Sequence, residues 1–172
     1  MRNFLALIGL AALLAGGGAA AFFFGGYYSV ATTAFEPEIV HWALVNVRMA
    51  SVSRHATDEA PAGLETPARQ RAGARAFADR GCVNCHGAPG VEWARFSEGL
   101  RPDPPDLKQV ARERSVSELF WVIKNGVNMT GMPGFGAAPD AELWSIASFV
   151  KALPQVSPED YKAWSVAAAA KP

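Results

Sequence analysis

The residues best placed to do chemistry in this chain are consecutive: Cys82, Val83, Asn84, Cys85 and His86. This C-x-x-C-H spacing is typical of covalent haem attachment, in which two thiols add to the haem vinyl groups and the histidine ligates iron. The short spacing puts both sulfurs at one edge of the macrocycle, and the next residue can place its imidazole against the iron. The sequence therefore predicts one haem, held by Cys82 and Cys85, with His86 as an iron ligand.

Three other kinds of site use a closely spaced cysteine pair. A thioredoxin-like redox pair belongs to a βαβ pattern, which the sequence does not show. A structural zinc ion needs four ligands, and the remaining histidines, His41 and His55, lie well before the cysteines without the spacing of metal ligands. A plain disulfide would leave His86 without a role. Haem attachment is the interpretation that uses all three reactive side chains.

A haem held by one histidine needs a second iron ligand or has an open position, and methionine is the candidate ligand. Met1 is terminal and Met49 lies in a predicted helix, which leaves Met129 and Met132 in a glycine-rich loop. Either could instead fill a gap in the core. The glycine before Met132 and Pro133 after it favour an extended backbone, from which the thioether can point inward.

Four helices are predicted after residue 65 from capping residues, prolines and apolar spacing. They run from Thr66 and Pro67 to Arg80, from Ser115 with its capping partner Glu118 to Asn125, from near Asp140 to before Pro154, and onward from Ser157 and Pro158. No strand pattern and no repeat is found, so the predicted fold class is all-α, with long loops at 87–114 and 126–139. Such loops need something to pack on, and a haem provides it.

The N-terminus has the pattern of a membrane-spanning helix. No charged residue occurs from Asn3 to Phe35, and the run from Phe4 to Phe24 is long enough to cross a bilayer, which takes about 20 helical residues. A cleaved signal peptide is the alternative, with small residues at Ala19 to Ala21. We favour an uncleaved anchor because the apolar run exceeds the roughly 7 to 15 residues of the apolar region (h-region) of a signal peptide. Tyr27 and Tyr28 would then lie at the outer interface.

The chain is thus expected to have three parts: a signal-anchor transmembrane helix at 1–30, an amphipathic stalk helix and linker at 31–64, and a haem-binding domain at 65–172. The helix expected from Pro37 to His55 fits a structural stalk and a docking surface for a larger complex equally well. Sixteen basic residues balance sixteen acidic ones, so the charge gives no indication of nucleic-acid binding.

Between about Thr66 and Leu153 the chain resembles class I cytochrome c, and within it the small membrane-anchored single-haem cytochromes c of proteobacteria. The matching positions are Gly73 and Phe77, Cys82 to His86, Pro105 and Leu107, Met132-Pro133-Gly134-Phe135, and Trp144 with Phe149. The resemblance implies a class I cytochrome c fold around one covalent haem c, preceded by the transmembrane helix.

The same resemblance implies roles for individual residues. Met132 would be the distal iron ligand, and the carbonyl of Pro105 would accept a hydrogen bond from His86, which orients the imidazole. The first and last core helices would cross near Gly73 and Trp144. The resemblance does not extend to the residues that hold the haem propionates, since the segment between His86 and Met132 is shorter than in the mitochondrial form. Arg101 and Trp121 are separate candidates for those contacts.

A haem with both axial positions filled is suited to one-electron, outer-sphere transfer rather than to catalysis. The resemblance implies a role in a respiratory or periplasmic electron-transport chain. The haem domain would lie in the periplasm, and a single helix would cross the bacterial inner membrane. The donor would be a quinol-oxidising complex or a dehydrogenase and the acceptor a terminal oxidase, with the chain acting freely or within a larger complex. The alternative is an enzyme or sensor with an open sixth position. Against it, the haem domain has no histidine besides His86 to act as a distal acid or base, and its acidic residues look like helix caps or surface charges.

Overall fold

A computed structural model describes residues 1–166, and over that range it contains helices and one isolated bridge, between Ala88 and Val91, but no strand. The predicted all-α fold class is confirmed for this part of the chain. The chain forms two compact units, Met1–Glu36 and a second that begins at Pro37.

The first unit is dominated by one apolar helix, α1 (Arg2–Phe24). Its segment Asn3–Phe24 has a mean hydropathy of 2.1 and is long and apolar enough to cross a membrane. Gly25 follows the helix, and the ring of Tyr28 lies 5.2 Å from that of Phe23, against the last turn. The expected N-terminal helix is therefore present, with the length and composition of a membrane span.

The second unit contains seven α-helices among its described residues. They are α2 (Glu38–His55), α3 (Pro67–Asp79), α4 (Val83–His86), α5 (Leu107–Glu113), α6 (Val116–Asn125), α7 (Asp140–Ala152) and α8 (Pro158–Ser165), with 3-10 turns at Arg95–Gly99 and Leu153–Gln155. The predicted starts of α3 and α8 are confirmed. So is the capping box of α6, in which the backbone nitrogen of Glu118 donates to Ser115 Oγ and that of Ser115 donates to Glu118 Oε2.

Helix α5 is a correction to the long loop expected at 87–114. Asp106 caps it by accepting a hydrogen bond from the backbone nitrogen of Lys108 at 2.8 Å. The helix has seven residues, which is too short for its apolar periodicity to be recognised. The aspartate before Leu107 was the available signal for its start.

The core is built around α7, whose residues 143–150 are all buried. Helix α3 crosses it at Gly73, where an added Cβ would overlap the carbonyl oxygen of Ser145 and lie 2.9 Å from Cβ of Phe149. The crossing lies next to Trp144, as the resemblance implied. A glycine is needed at this position because the two helix backbones touch.

Stacked and edge-on rings fill the rest of the core. The rings of Phe120 on α6 and Trp144 on α7 are parallel, with centroids 3.9 Å apart. The ring of Phe149 meets that of Phe77 edge-on at 5.4 Å and stacks on that of Tyr161 at 5.8 Å. These pairs join α3, α6 and α8 to α7, which gives the loops between them fixed end points.

The C-terminal end of α2 packs on α6. Val52 is buried, and the ring of His55 stacks on that of Trp121 with centroids 6.0 Å apart. Ser53 Oγ donates to a carboxylate oxygen of Glu118 at 2.6 Å. The last turn of α2 therefore belongs to the core of the second unit.

Candidate functional site

The two cysteines and the histidine lie on one turn of helix. Cys82 precedes α4, and Cys85 and His86 end it; both thiols are free and partly buried. Gly81 and Gly87, on either side of this turn, have φ of +74° and +63°. These left-handed conformations are readily adopted by glycine, and they let the chain turn sharply into and out of the site.

The imidazole of His86 is oriented by a backbone carbonyl. Its Nδ1 lies 3.2 Å from the oxygen of Pro105, so Nδ1–H donates and the lone pair of Nε2 is available for a metal ion. Burial lowers the pKa of His86, and the bond to Pro105 partly opposes this. The neutral ring is the form that binds a metal.

The position of Pro105 depends on α5, and α5 is held by α7. Pro105 lies two residues before the first residue of α5. At the other end of α5, Lys151 Nζ donates to the carbonyl oxygens of Ala111 and, at 2.9 Å, of Arg114. Because these carbonyls have no partner within the helix, the lysine fixes the C-terminal end of α5 to the core.

The thiol chemistry fits covalent attachment better than the alternatives. Burial is the main cause that raises the pKa of Cys82 to about 11. A thioredoxin-like nucleophile has a lowered pKa, so the raised pKa of Cys82 is unlike that of such a nucleophile. Within residues 1–166, no three His, Cys, Asp or Glu side chains are grouped so that they could hold a metal ion.

A cavity of about 450 Å³ lies beside the attachment turn. It is lined by Cys85, His86, Trp93, Ser97, Glu98, Arg101, Asp103, Pro104, Pro105 and Asp106. The residues fit a haem, since a thiol and the oriented imidazole face the same space.

Arg101 lines this cavity and is paired with Asp103 at 2.9 Å, whereas Trp121 stacks on His55. Only the first of the two propionate candidates is thus placed at the site.

The loop that carries both candidate methionines is fixed by hydrogen bonds around Met132. Its backbone nitrogen donates to Thr130 Oγ1 at 3.0 Å, and its carbonyl accepts from the backbone nitrogen of Val127 at 3.1 Å. Thr130 Oγ1 donates in turn to the carbonyl of Val127 at 2.7 Å. The loop therefore closes on itself around Met132.

The two methionines differ in environment. Met132 is partly buried, whereas Met129 is 89% exposed and has a φ of +58°. Met132 does not line the cavity beside His86. Its neighbour Gly131 lies against the side chain of Leu100, which would be 3.0 Å from a Cβ added to that glycine. The structure thus brings together Cys82, Cys85 and His86, and it places Met132 in the adjoining loop.

A comparison with known protein families gives a match to this domain. Residues 68–150 match a family model described as cytochrome c oxidase, cbb3-type, subunit III. No curated protein and no solved structure matches significantly. The matched segment includes both cysteines, His86 and Met132. Residues 68–150 are therefore a c-type cytochrome domain, of the kind that binds haem c and transfers electrons.

Proposed function

We propose that this chain is a one-electron carrier with a single haem c, attached through Cys82 and Cys85 and ligated by His86 and Met132. The observation that carries this proposal is the hydrogen bond from His86 Nδ1 to the carbonyl of Pro105, next to two free thiols. Bound haem exchanges one electron between the ferric and ferrous states of its iron. The protein supplies the tethers, a fixed imidazole and a methionine loop held by its own backbone.

The surroundings of the site favour a carrier over an enzyme. Acid–base catalysis needs a positioned titratable side chain near the reacting group. The carboxylates at the cavity, Glu98, Asp103 and Asp106, are all exposed, and Asp103 is paired with Arg101. The cavity beside His86 therefore supplies no buried carboxylate that could act as acid or base on a bound molecule.

For the location of the protein, we propose a single pass through a bacterial inner membrane by the helix within residues 1–30. Residues 31–64 would form the stalk and linker, and residues 65–172 the haem domain in the periplasm. The length and hydropathy of α1 support the anchor. Covalent haem attachment takes place on the outer side of that membrane, which supports the orientation.

For partners, the proposal is a quinol-oxidising complex or a dehydrogenase as donor and a terminal oxidase as acceptor, within a respiratory or periplasmic chain. The description of the matching family model names an oxidase subunit, which supports an oxidase as acceptor or as the complex that contains the chain.

The test uses the full chain, matured with haem and extracted in detergent. A pyridine haemochrome assay should give one haem per chain, and a redox titration should follow a one-electron curve. The reduced protein should bind carbon monoxide slowly or not at all, because both axial positions are filled. Rapid and stoichiometric carbon monoxide binding would instead indicate an open site and a ligand-binding or enzymatic role.

A further inference from the structure

The N-terminal part of α2 is apolar and exposed, unlike its C-terminal end. We call residues 39–47 the apolar end of α2. Its large side chains are mostly accessible: Ile39 69%, Trp42 62%, Leu44 54% and Val47 68%. Val52, further along the same helix, is 3% exposed. The domain thus buries one end of α2 and leaves the other end bare.

The apolar end carries large apolar side chains on opposite sides of the helix. Successive residues of an α-helix are rotated by about 100°, so Trp42 and Leu44 point in nearly opposite directions. A helix that is apolar all round is normally surrounded by apolar material, whereas docking on one flat surface would leave the opposite side in water. The surroundings that fit this end must therefore cover more than one side.

The polar groups in this end are few, and one of them is satisfied within the helix. Residues 39–47 include no Asp, Glu, Lys or Arg, and the polar side chains are His41 and Asn46. Asn46 Nδ2 donates to the carbonyl of Trp42 at 2.7 Å. A polar side chain bonded to its own helix loses little when water is removed, since its hydrogen bond is kept.

The covalent connection to α1 identifies the surroundings. Residues 25–37 separate the two helices, and at roughly 3.5 Å per residue they span at most about 45 Å. The bare end of α2 is the end nearer to α1 in the sequence. The bilayer crossed by α1 is therefore an apolar phase that this end can always reach, at a high effective concentration.

We infer that the apolar end of α2 inserts into the interfacial region of the bilayer that α1 spans. Trp42 is suited to this region because its indole has an apolar body and a polar N–H group. The inference rests on the membrane anchoring proposed above. The inserted end would be a second attachment that limits rotation of the haem domain on its tether.

The charges on either side of the apolar end indicate whether electrostatic attraction or burial of apolar area would drive its insertion. Glu38 begins α2 and Arg48 directly follows the apolar end, so the flanking charges give this end no net attraction to anionic headgroups. Insertion must come from burial of apolar area, which salt does not screen. It should therefore occur in neutral lipid and should not increase with the anionic fraction.

The test places a spin label at one introduced cysteine in the full-length holoprotein, in nanodiscs of phosphatidylcholine. Cys82 and Cys85 are used by the haem, so the introduced thiol alone reacts. Val47→Cys reports on the apolar end, Leu10→Cys on α1, and Arg112→Cys on an exposed part of α5. The label at position 47 should collide less with a water-soluble nickel complex and more with oxygen than the label at position 112. Both differences should be smaller than those at position 10, which lies deeper in the bilayer.

Each other outcome overturns the inference in a recognisable way. A label at position 47 that behaves like the one at 112 would place the apolar end in water. Spin–spin broadening that grows with the number of chains per disc would assign a second copy as the occupant. Failure of the anchor itself would appear at position 10, and failure of the haem proposal would appear in the absorption spectrum of the same sample.

Discussion

Nδ1 of His86 lies 3.2 Å from the carbonyl oxygen of Pro105, nineteen positions further along the chain. The acceptor is a backbone atom two residues before the start of α5, so its position is tied to that of α5. Lys151 fixes α5 by binding two of its C-terminal carbonyls. The orientation of the proposed iron ligand is therefore connected to the core helix α7.

Replacing this lysine should destabilise the domain. In Lys151→Met the carbonyls of Ala111 and Arg114 lose a charged donor in a partly buried place, which costs about 1–3 kcal/mol. Denaturant unfolding of the holoprotein, followed by far-ultraviolet circular dichroism, measures this cost. Lys162→Met is the matched control on the exposed face of α8 and should change little. Equal effects of the two substitutions would contradict the role given to Lys151.

The crossing of α3 and α7 should not tolerate a side chain at Gly73. The methyl group of Gly73→Ala would overlap the carbonyl of Ser145, so the helices must separate, at a cost of about 1–3 kcal/mol. Gly99→Ala is the control, because an added Cβ at Gly99 meets nothing within 4 Å. The free energy of unfolding should fall for the first variant only. An unchanged value for Gly73→Ala would mean that the two backbones are further apart than described.

Covalent attachment is tested by removing both thiols. The double variant Cys82→Ser with Cys85→Ser should carry no haem after denaturation, since both tethers are lost. Haem staining of a denaturing gel measures this, with Cys82→Ser alone as a partial control that keeps one thioether. Full staining of the double variant would show that the haem is attached elsewhere.

The contact of α2 with α6 should weaken in acid through Glu118. Hydrogen bonds from Ser53 and from Ser115 lower the pKa of this carboxyl in the folded protein. A carboxyl whose pKa is lower in the folded state than in the unfolded state stabilises the fold at pH values above the pKa of the unfolded state. This stabilisation is lost as the pH falls through the pKa of the folded state. The stability difference between wild type and Glu118→Gln should therefore shrink below the ordinary titration range of a glutamate.

The measurement is the free energy of unfolding of both proteins across acidic pH. Glu113→Gln, an exposed carboxyl on α5, is the control and should give a smaller difference from wild type. A difference for Glu118→Gln that stays constant from neutral to strongly acidic pH would show that the charge of this carboxyl does not support the contact.

Contacts between residues close in sequence could be predicted, whereas contacts between residues far apart in sequence could not. The capping box of α6 was predictable because its two residues are three positions apart. The packing of α2 on α6 was not predictable, because Ser53 and Glu118 are separated by 65 positions and no pattern in either segment indicates the contact. The bond between His86 and Pro105 was expected from the family resemblance alone. Sequence spacing showed which groups could bind a haem, but not how α5 and α7 hold the imidazole.

The sixth ligand decides between carrier and open site, and the structure separates its two candidates. Met129 is 89% exposed with a left-handed backbone, whereas Met132 is partly buried and has both its backbone N–H and carbonyl bonded within the loop. An iron ligand must be held in a fixed position, and the backbone hydrogen bonds of Met132 favour this residue. Met132 does not line the cavity beside His86.

We expect Met132→Ala to remove the near-infrared sulfur-to-iron band of the oxidised protein, lower the redox potential and let the reduced form bind carbon monoxide. Met129→Ala is the control three positions away and should leave all three properties nearly unchanged. Optical spectra, a redox titration and carbon monoxide mixing measure them on the same holoprotein. The opposite pattern would assign the ligand to Met129. If neither substitution altered the band or the carbon monoxide reaction, then neither methionine would bind the iron, and the carrier assignment would lose its main chemical argument.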